Sequence, residues 1–135
     1  MKLLYDPLST ILARQMDACA LRQRVIADNI ANANTPGFKK SVVSFQQQLK
    51  RALGETGFNM SVSHPRHIAP GQGGLDNLTP QVIKVEGTSM RASENNVDID
   101  QEMVNLAANA LLYRLAARVW SDRANLMSYV IKGGR

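Results

Sequence analysis

Four short runs carry residue types that can do chemistry. His64-Pro65-Arg66-His67 offers two imidazoles three positions apart. The proline between them rules out a helix face that would present both, and no third ligand is spaced nearby, whereas a zinc site takes at least three protein ligands. It reads as a surface turn. Asp98-Ile99-Asp100-Gln101-Glu102 gathers three carboxylates. The ligand pattern and glycine of a calcium loop are missing, and the start of a helix explains the same residues: Asp98 as its cap, with Asp100 and Glu102 beside the positive end of the dipole. Gly71-Gln72-Gly73-Gly74 follows no strand, opens no helix and has no Lys-Ser/Thr after it, so it is a poor phosphate loop. Cys19 is the only cysteine, which excludes an intrachain disulfide, and its place in a helical pattern suits a small buried apolar group. No serine stands in a nucleophile-elbow context. The expectation is a non-enzyme without catalytic, cofactor-binding or metal-binding residues and without a small-molecule substrate.

The bulk properties narrow the class further. The 135 residues suit one domain, and 44 % hydrophobic with only 5 % aromatic content implies a core of Leu, Ile, Val, Met and Ala. The net charge of +5 lies near the N-terminal segment, where residues 1–51 hold eight Lys/Arg against three Asp/Glu. Those cations are scattered, with Asp17 and Asp28 among them and no aromatic interleaving, so they read as a solvated helix face rather than a nucleic-acid surface. The first residues do not form a secretory signal, because Asp6-Pro7 breaks a very short apolar run.

The elements that position these residues fall into three segments, expected to form one structural domain: 1–37, a helix and turn; 38–96, a loop-rich middle; 97–135, a second helix. In the first, residues 7–32 read as a long helix, with Asp6 as its cap and Pro7 in the first turn. Leu12, Met16, Cys19, Ile26 and Ile30 follow a heptad spacing interrupted by Gln23. Gln23, Asn29 and Asn32 lie on or beside that seam, where an amide is either simply wet near a helix end or buried to fix the register between packed helices. Thr35-Pro36-Gly37 then predicts a type II turn.

The middle is rich in Gly and Pro. Residues 41–53 read as a short helix, 59–63 and 81–86 as brief strands, and 64–78 as turn composition with little to bury.

The last segment carries the strongest periodicity. Ile99, Met103, Leu106, Ala110, Tyr113, Ala117, Trp120, Ala124, Met127 and Ile131 recur at alternating spacings of four and three, and every one is apolar or aromatic. Gly133-Gly134 ends the helix. A second stripe, Ala107, Leu111, Leu115, Val119, Leu126 and Val130, flanks the seam. One partner helix covers one stripe and not two, and unclaimed apolar surface on a small protein marks an association site. The fold class expected is mainly α, with long N- and C-terminal helices forming a coiled-coil-like pair and a loop-rich middle containing short strands.

Two stretches resemble a known family. Residues 20–39, with the core Asn29-Ile30-Ala31-Asn32-Ala33-Asn34-Thr35-Pro36-Gly37-Phe38, are similar to the N-terminal signature of flagellar rod, hook and filament-junction proteins. Residues 95–103, Asn95-Asn96-Val97-Asp98-Ile99-Asp100-Gln101-Glu102-Met103, together with the ending Gly133-Gly134-Arg135, resemble the C-terminal signature. The Thr-Pro-Gly turn and the Val-Asp-Ile-Asp start resemble the proximal-rod branch. A tyrosine common at the turn is Phe38 here.

The resemblance implies a structural subunit of the bacterial flagellar basal body. Such a subunit polymerises with other axial proteins into the proximal rod, which transmits torque and encloses the export channel. It implies signal-less type III export into the periplasm. The partners implied are the rod proteins FlgC, FlgF and FlgG, the adaptor FliE, and the membrane-supramembrane ring and export gate, with no nucleic acid. Subunit contacts are expected at Leu12, Met16, Cys19, Ile26, Asn29, Ile30 and Asn32 and along the whole C-terminal seam from Ile99 to Ile131. The alternative is a free-standing coiled-coil partner-binding module, which would share the seam but not the N-terminal signature.

Overall fold

The computed structural model describes residues 7–52, 78–87 and 94–133. Five elements follow in order: α1 (Pro7–Ala31), β1 (Ser41–Ser44), α2 (Gln46–Ala52), β2 (Gln81–Lys84) and α3 (Ile99–Ile131). The expected cap Asp6, the histidine pair, the glycine run and residues 59–63 lie outside the described residues.

The two long helices pack together and run antiparallel, since Cys19 meets Asn109 while Asn29, ten residues further along α1, meets Glu102. At ~1.5 Å per residue the 33 residues of α3 extend about 50 Å, against about 37 Å for the 25 of α1. The described part of α1 therefore leaves the last turns of α3 without a partner alongside. No helix among the described residues is long and apolar enough to cross a membrane.

Both helix boundaries follow from local chemistry. Asp98 takes an extended backbone and its Oδ1 accepts from the amides of Asp100, at 3.0 Å, and Gln101, at 3.4 Å. That satisfies two of the donors a helix start leaves without partners. At the end of α1, Phe38 N–H donates to Thr35 C=O at 3.3 Å, with Pro36 and Gly37 between and Gly37 at φ +72°. These are the features of the type II turn that Pro-Gly favours.

The expected helix over 41–53 is corrected in its first half. Ser41–Ser44 is a strand paired antiparallel with β2, with Ser41 opposite Lys84 and Ser44 opposite Gln81, and helix begins only at Gln46. Val42 and Val43 favour extended backbone, and the sheet and Asn29 supply the bonds a helix would have made internally. Phe45, between strand and helix, is 1 % exposed and packs with Ala18 of α1 and Leu78, with Leu49 against them. Leu78 thus belongs to the core, although its segment reads as turn composition.

Candidate assembly interface

Asparagine amides hold the helix pair to the sheet. Asn29, on the inward face of α1, binds Ser41 of β1 twice: its Nδ2 donates to Ser41 C=O at 2.8 Å, and Ser41 N–H donates to its Oδ1 at 2.9 Å. The same Nδ2 donates to Glu102 Oε2 of α3 at 3.1 Å. One side chain therefore ties α1, β1 and α3, and Asn29 is 1 % exposed. An aspartate has the shape but not the two donors; an alanine has neither.

Asn95 and Asn96 do the same for the connection into α3. Asn95 Nδ2 lies 3.0 Å from the carbonyls of Asn32 and Ala33 and 2.9 Å from that of Thr35, while its Oδ1 accepts from Val97 N–H. It closes the carbonyl-rich end of α1, which a helix leaves without internal donors. Asn96 Oδ1 accepts from Lys40 N–H and its Nδ2 donates to Val85 C=O, so its amide extends the β1–β2 ladder by one rung. Preceding them, Glu94 takes φ +61°, a left-handed conformation uncommon outside glycine and asparagine, and its carbonyl accepts from Lys39 Nζ.

The face of α3 turned to α1 is polar at its centre. Glu102, Asn109 and Ala116, seven residues apart, are its buried residues. Asn109 Nδ2 donates to Cys19 C=O at 2.9 Å and its Oδ1 accepts from Arg22, while Glu102 also accepts from Asn105. Dipole and capping chemistry account for Asp98 and Asp100 but not for Glu102, which turns inward. Beside this face, Val25, Ile26, Val42, Ala108 and Leu112 line an open groove of about 300 Å³, with Arg22 and Glu102 in its wall.

The residues expected at subunit contacts separate accordingly. Cys19, Ile26 and Asn29 are buried within the subunit itself, and Leu12, Met16, Ile30 and Asn32 are half-buried. Asn32 bonds its own helix end, donating to Asp28 C=O, and Gln23 is exposed. On α3, Leu106, Ala110 and Ala117 are half-buried beside the polar stripe, whereas Ile99, Met103, Tyr113, Trp120, Ala124, Met127 and Ile131 are exposed. The flanking stripe is exposed too: Leu111, Leu115 and Leu126 are each more than 60 % accessible. Of the eighteen large hydrophobic residues exposed among those described, fourteen lie on α3.

Sequence reasoning missed Glu102, Asn95, Asn96 and Asn109 as packing residues. For Glu102 and Asn109 the signal was present in their seven-residue spacing with Ala116, but a search for apolar periodicity passes over it. Among the described residues no group of three or more His, Cys, Asp or Glu could hold a metal ion.

Residues 13–39, which include Arg22, Asn29 and the turn held by Asn95, match the family model for the flagella basal body rod protein. Over most of its length the chain is similar to flagellar basal body rod proteins FlgB. The protein of that name from Borreliella burgdorferi is 34 % identical over 127 residues, covering 88 % of this chain and 91 % of the relative. That from Borrelia hermsii is 38 % identical over 124 residues, with the same coverage of 88 % and 91 %. That from Yersinia enterocolitica is 32 % identical over 137 residues, covering 96 % and 98 %. The chain belongs to the FlgB family of flagellar basal body rod proteins.

Proposed function

We propose that the chain is a structural subunit of the proximal rod of the flagellar basal body, polymerising with other rod components into the tube that transmits torque and encloses the export channel. Membership of a rod family supports the class. The observation that carries the mechanism is which surface the subunit leaves open: α1 covers the polar stripe of Glu102, Asn109 and Ala116, while most of the apolar seam and all of its flanking stripe stay exposed. Burying apolar surface contributes roughly 25 cal/mol per Å², so these stripes supply the driving force for association that a monomer does not use. The internal amide bonds set the helix pair's geometry in advance, which lowers the entropy cost of each addition.

The finer assignments belong to the same proposal. The expected neighbours are FlgC, FlgF and FlgG, the adaptor FliE, and the membrane-supramembrane ring and export gate, reached by signal-less export into the periplasm. The subunit has a scaffolding role and no catalytic one.

Deletion and complementation test this. A deletion strain should make no hook or filament, and the unsubstituted gene should restore swimming. Ala124→Glu places a charge on the exposed seam without touching the subunit's interior, and should abolish assembly. Arg114→Glu, an equally exposed site between the stripes, should be tolerated. Equal swimming by both variants would mean that the seam is not an assembly surface.

A further inference from the structure

We propose that the outer apolar stripe of α3 receives the solvent face of α1 from a second copy, in an antiparallel register that joins copies head to tail. The inference rests on the reading that the chain polymerises, and it adds which faces meet.

The two faces point away from each other on the subunit. Ala18, Cys19, Val25, Ile26 and Asn29 turn inward on α1, so Ala20, Arg24, Ala27 and Ala31, all exposed, form its opposite side. On α3, Leu115, Val119, Asp122 and Leu126 are exposed and lie away from the buried Glu102, Asn109 and Ala116. Each face interrupts its apolar row with charge, and the charges are opposite. Setting Arg24 of one copy against Asp122 of the next, with the helices antiparallel, brings Asp28 against Arg118 without further adjustment. The same register sets Ala20 against Leu126, Ala27 against Val119 and Ala31 against Leu115. Large side chains then meet small ones at all three apolar steps, the pairing that allows close helix approach and filled layers. A parallel alignment through the same Arg24–Asp122 pair sets Asp28 against Leu126 and Ala27 against Asn125, which buries a charge on an apolar side chain. Complementarity selects the antiparallel register.

Arg118 and Asp122 now bond each other at 3.0 Å, with side chains 79 % and 57 % exposed. Such exposed pairs contribute little, so exchanging partners across an interface is inexpensive. Because the donor and acceptor faces differ, each added copy leaves one of each open. The contact is heterologous, and it continues until it closes a ring or winds as a helix.

Disulfide trapping in basal bodies tests the register. In a swimming strain whose only copy carries Ala27→Cys and Val119→Cys, mild oxidation of isolated basal bodies should give a ladder of linked dimers and higher forms. Each single variant should give no more than the unsubstituted chain, whose Cys19 is buried. A swimming double variant without a ladder, or a single variant that links as well, would overturn the proposal while leaving the rod reading intact. Charge exchange gives a second test that needs no cysteine. Arg24→Asp and Asp122→Arg should each shrink the swimming zone, and the two together should restore it. A double variant no better than the weaker single one would also overturn the register. If the unsubstituted gene fails to restore swimming to the deletion strain, the functional reading itself fails, a result distinct from these.

Discussion

Asn29 shows how much of the subunit's interior is held by hydrogen bonds rather than apolar contact. Its Nδ2 has two hydrogens and gives both away, to Ser41 C=O and to Glu102 Oε2, while its Oδ1 takes Ser41 N–H. Asn29→Asp keeps the shape and removes the donors, leaving an oxygen against a carbonyl and a second carboxylate. Unsatisfied buried groups cost about 1–3 kcal/mol each, more when charged, so Asn29→Asp should destabilise the subunit by at least ~3 kcal/mol and by more than Asn29→Ala. Adding Glu102→Gln to Asn29→Asp should recover at least ~1 kcal/mol, because a Gln amide can donate where Asn29 did. Denaturant unfolding of the four chains gives that coupling; strict additivity would show that the two side chains do not interact. Asn95 is the parallel case at the turn. Asn95→Ala strips three carbonyls of their side-chain donor and should cost about 2–3 kcal/mol, read as a lower unfolding midpoint.

At the scale of elements, sequence legibility tracks whether a signal is local. The turn at Pro36-Gly37, the Asp98 cap, the end of α1 and the extent of α3 rest on neighbouring residues, and each was readable; the strand at Gln81–Lys84 was readable from its own β-branched alternation, although its partner strand is distant. The strand at Ser41–Ser44 was not, because Ser-Val-Val-Ser carries no alternation of its own and only β2 and Asn29 hold it extended. Which face of α3 meets α1 was also hidden. Apolar periodicity points to the row from Ile99 to Ile131, whereas the subunit's own pairing centres on Glu102, Asn109 and Ala116, where hydrogen bonds replace apolar burial. The seam was legible as a surface that must be covered; the row that α1 covers instead was not. Gly37 gives a clean test of the local part. A Cβ there meets nothing within 4 Å, so Gly37→Ala pays only for its left-handed backbone, about 1–2 kcal/mol. Asp98→Ala should cost about 1 kcal/mol through the lost cap. Both values come from thermal or denaturant midpoints, and a loss several times larger at Gly37 would mean that the turn does more than reverse the chain.

In the proposed rod subunit, what folds the molecule and what it assembles with lie on different surfaces. Among the described residues, the interior combines buried apolar side chains such as Phe45, Ala18, Leu78 and Ile26 with amide bonds along the helix pair, while α3 exposes fourteen large hydrophobic residues. Stability and assembly should therefore respond to different substitutions. Leu111→Gln with Leu115→Gln alters two side chains that are 65 % and 62 % exposed, and exposed substitutions generally change stability by less than about 0.5 kcal/mol each. The double variant should unfold within a few degrees of the unsubstituted subunit and yet fail to support swimming. Asn109→Ala should behave in the opposite sense. It removes the donor to Cys19 C=O and the acceptor for Arg22 from a site 2 % exposed, which should lower subunit stability by roughly 1–3 kcal/mol. Where enough subunit remains folded, its open faces are unchanged, so it should still assemble at reduced temperature. Thermal unfolding of the purified subunits, set beside swimming at two temperatures, reads both responses. If Leu111→Gln with Leu115→Gln lowers the unfolding midpoint as far as Asn109→Ala does, the outer stripe is already covered within the subunit, and the division between an amide-bonded interior and an apolar exterior for assembly does not hold.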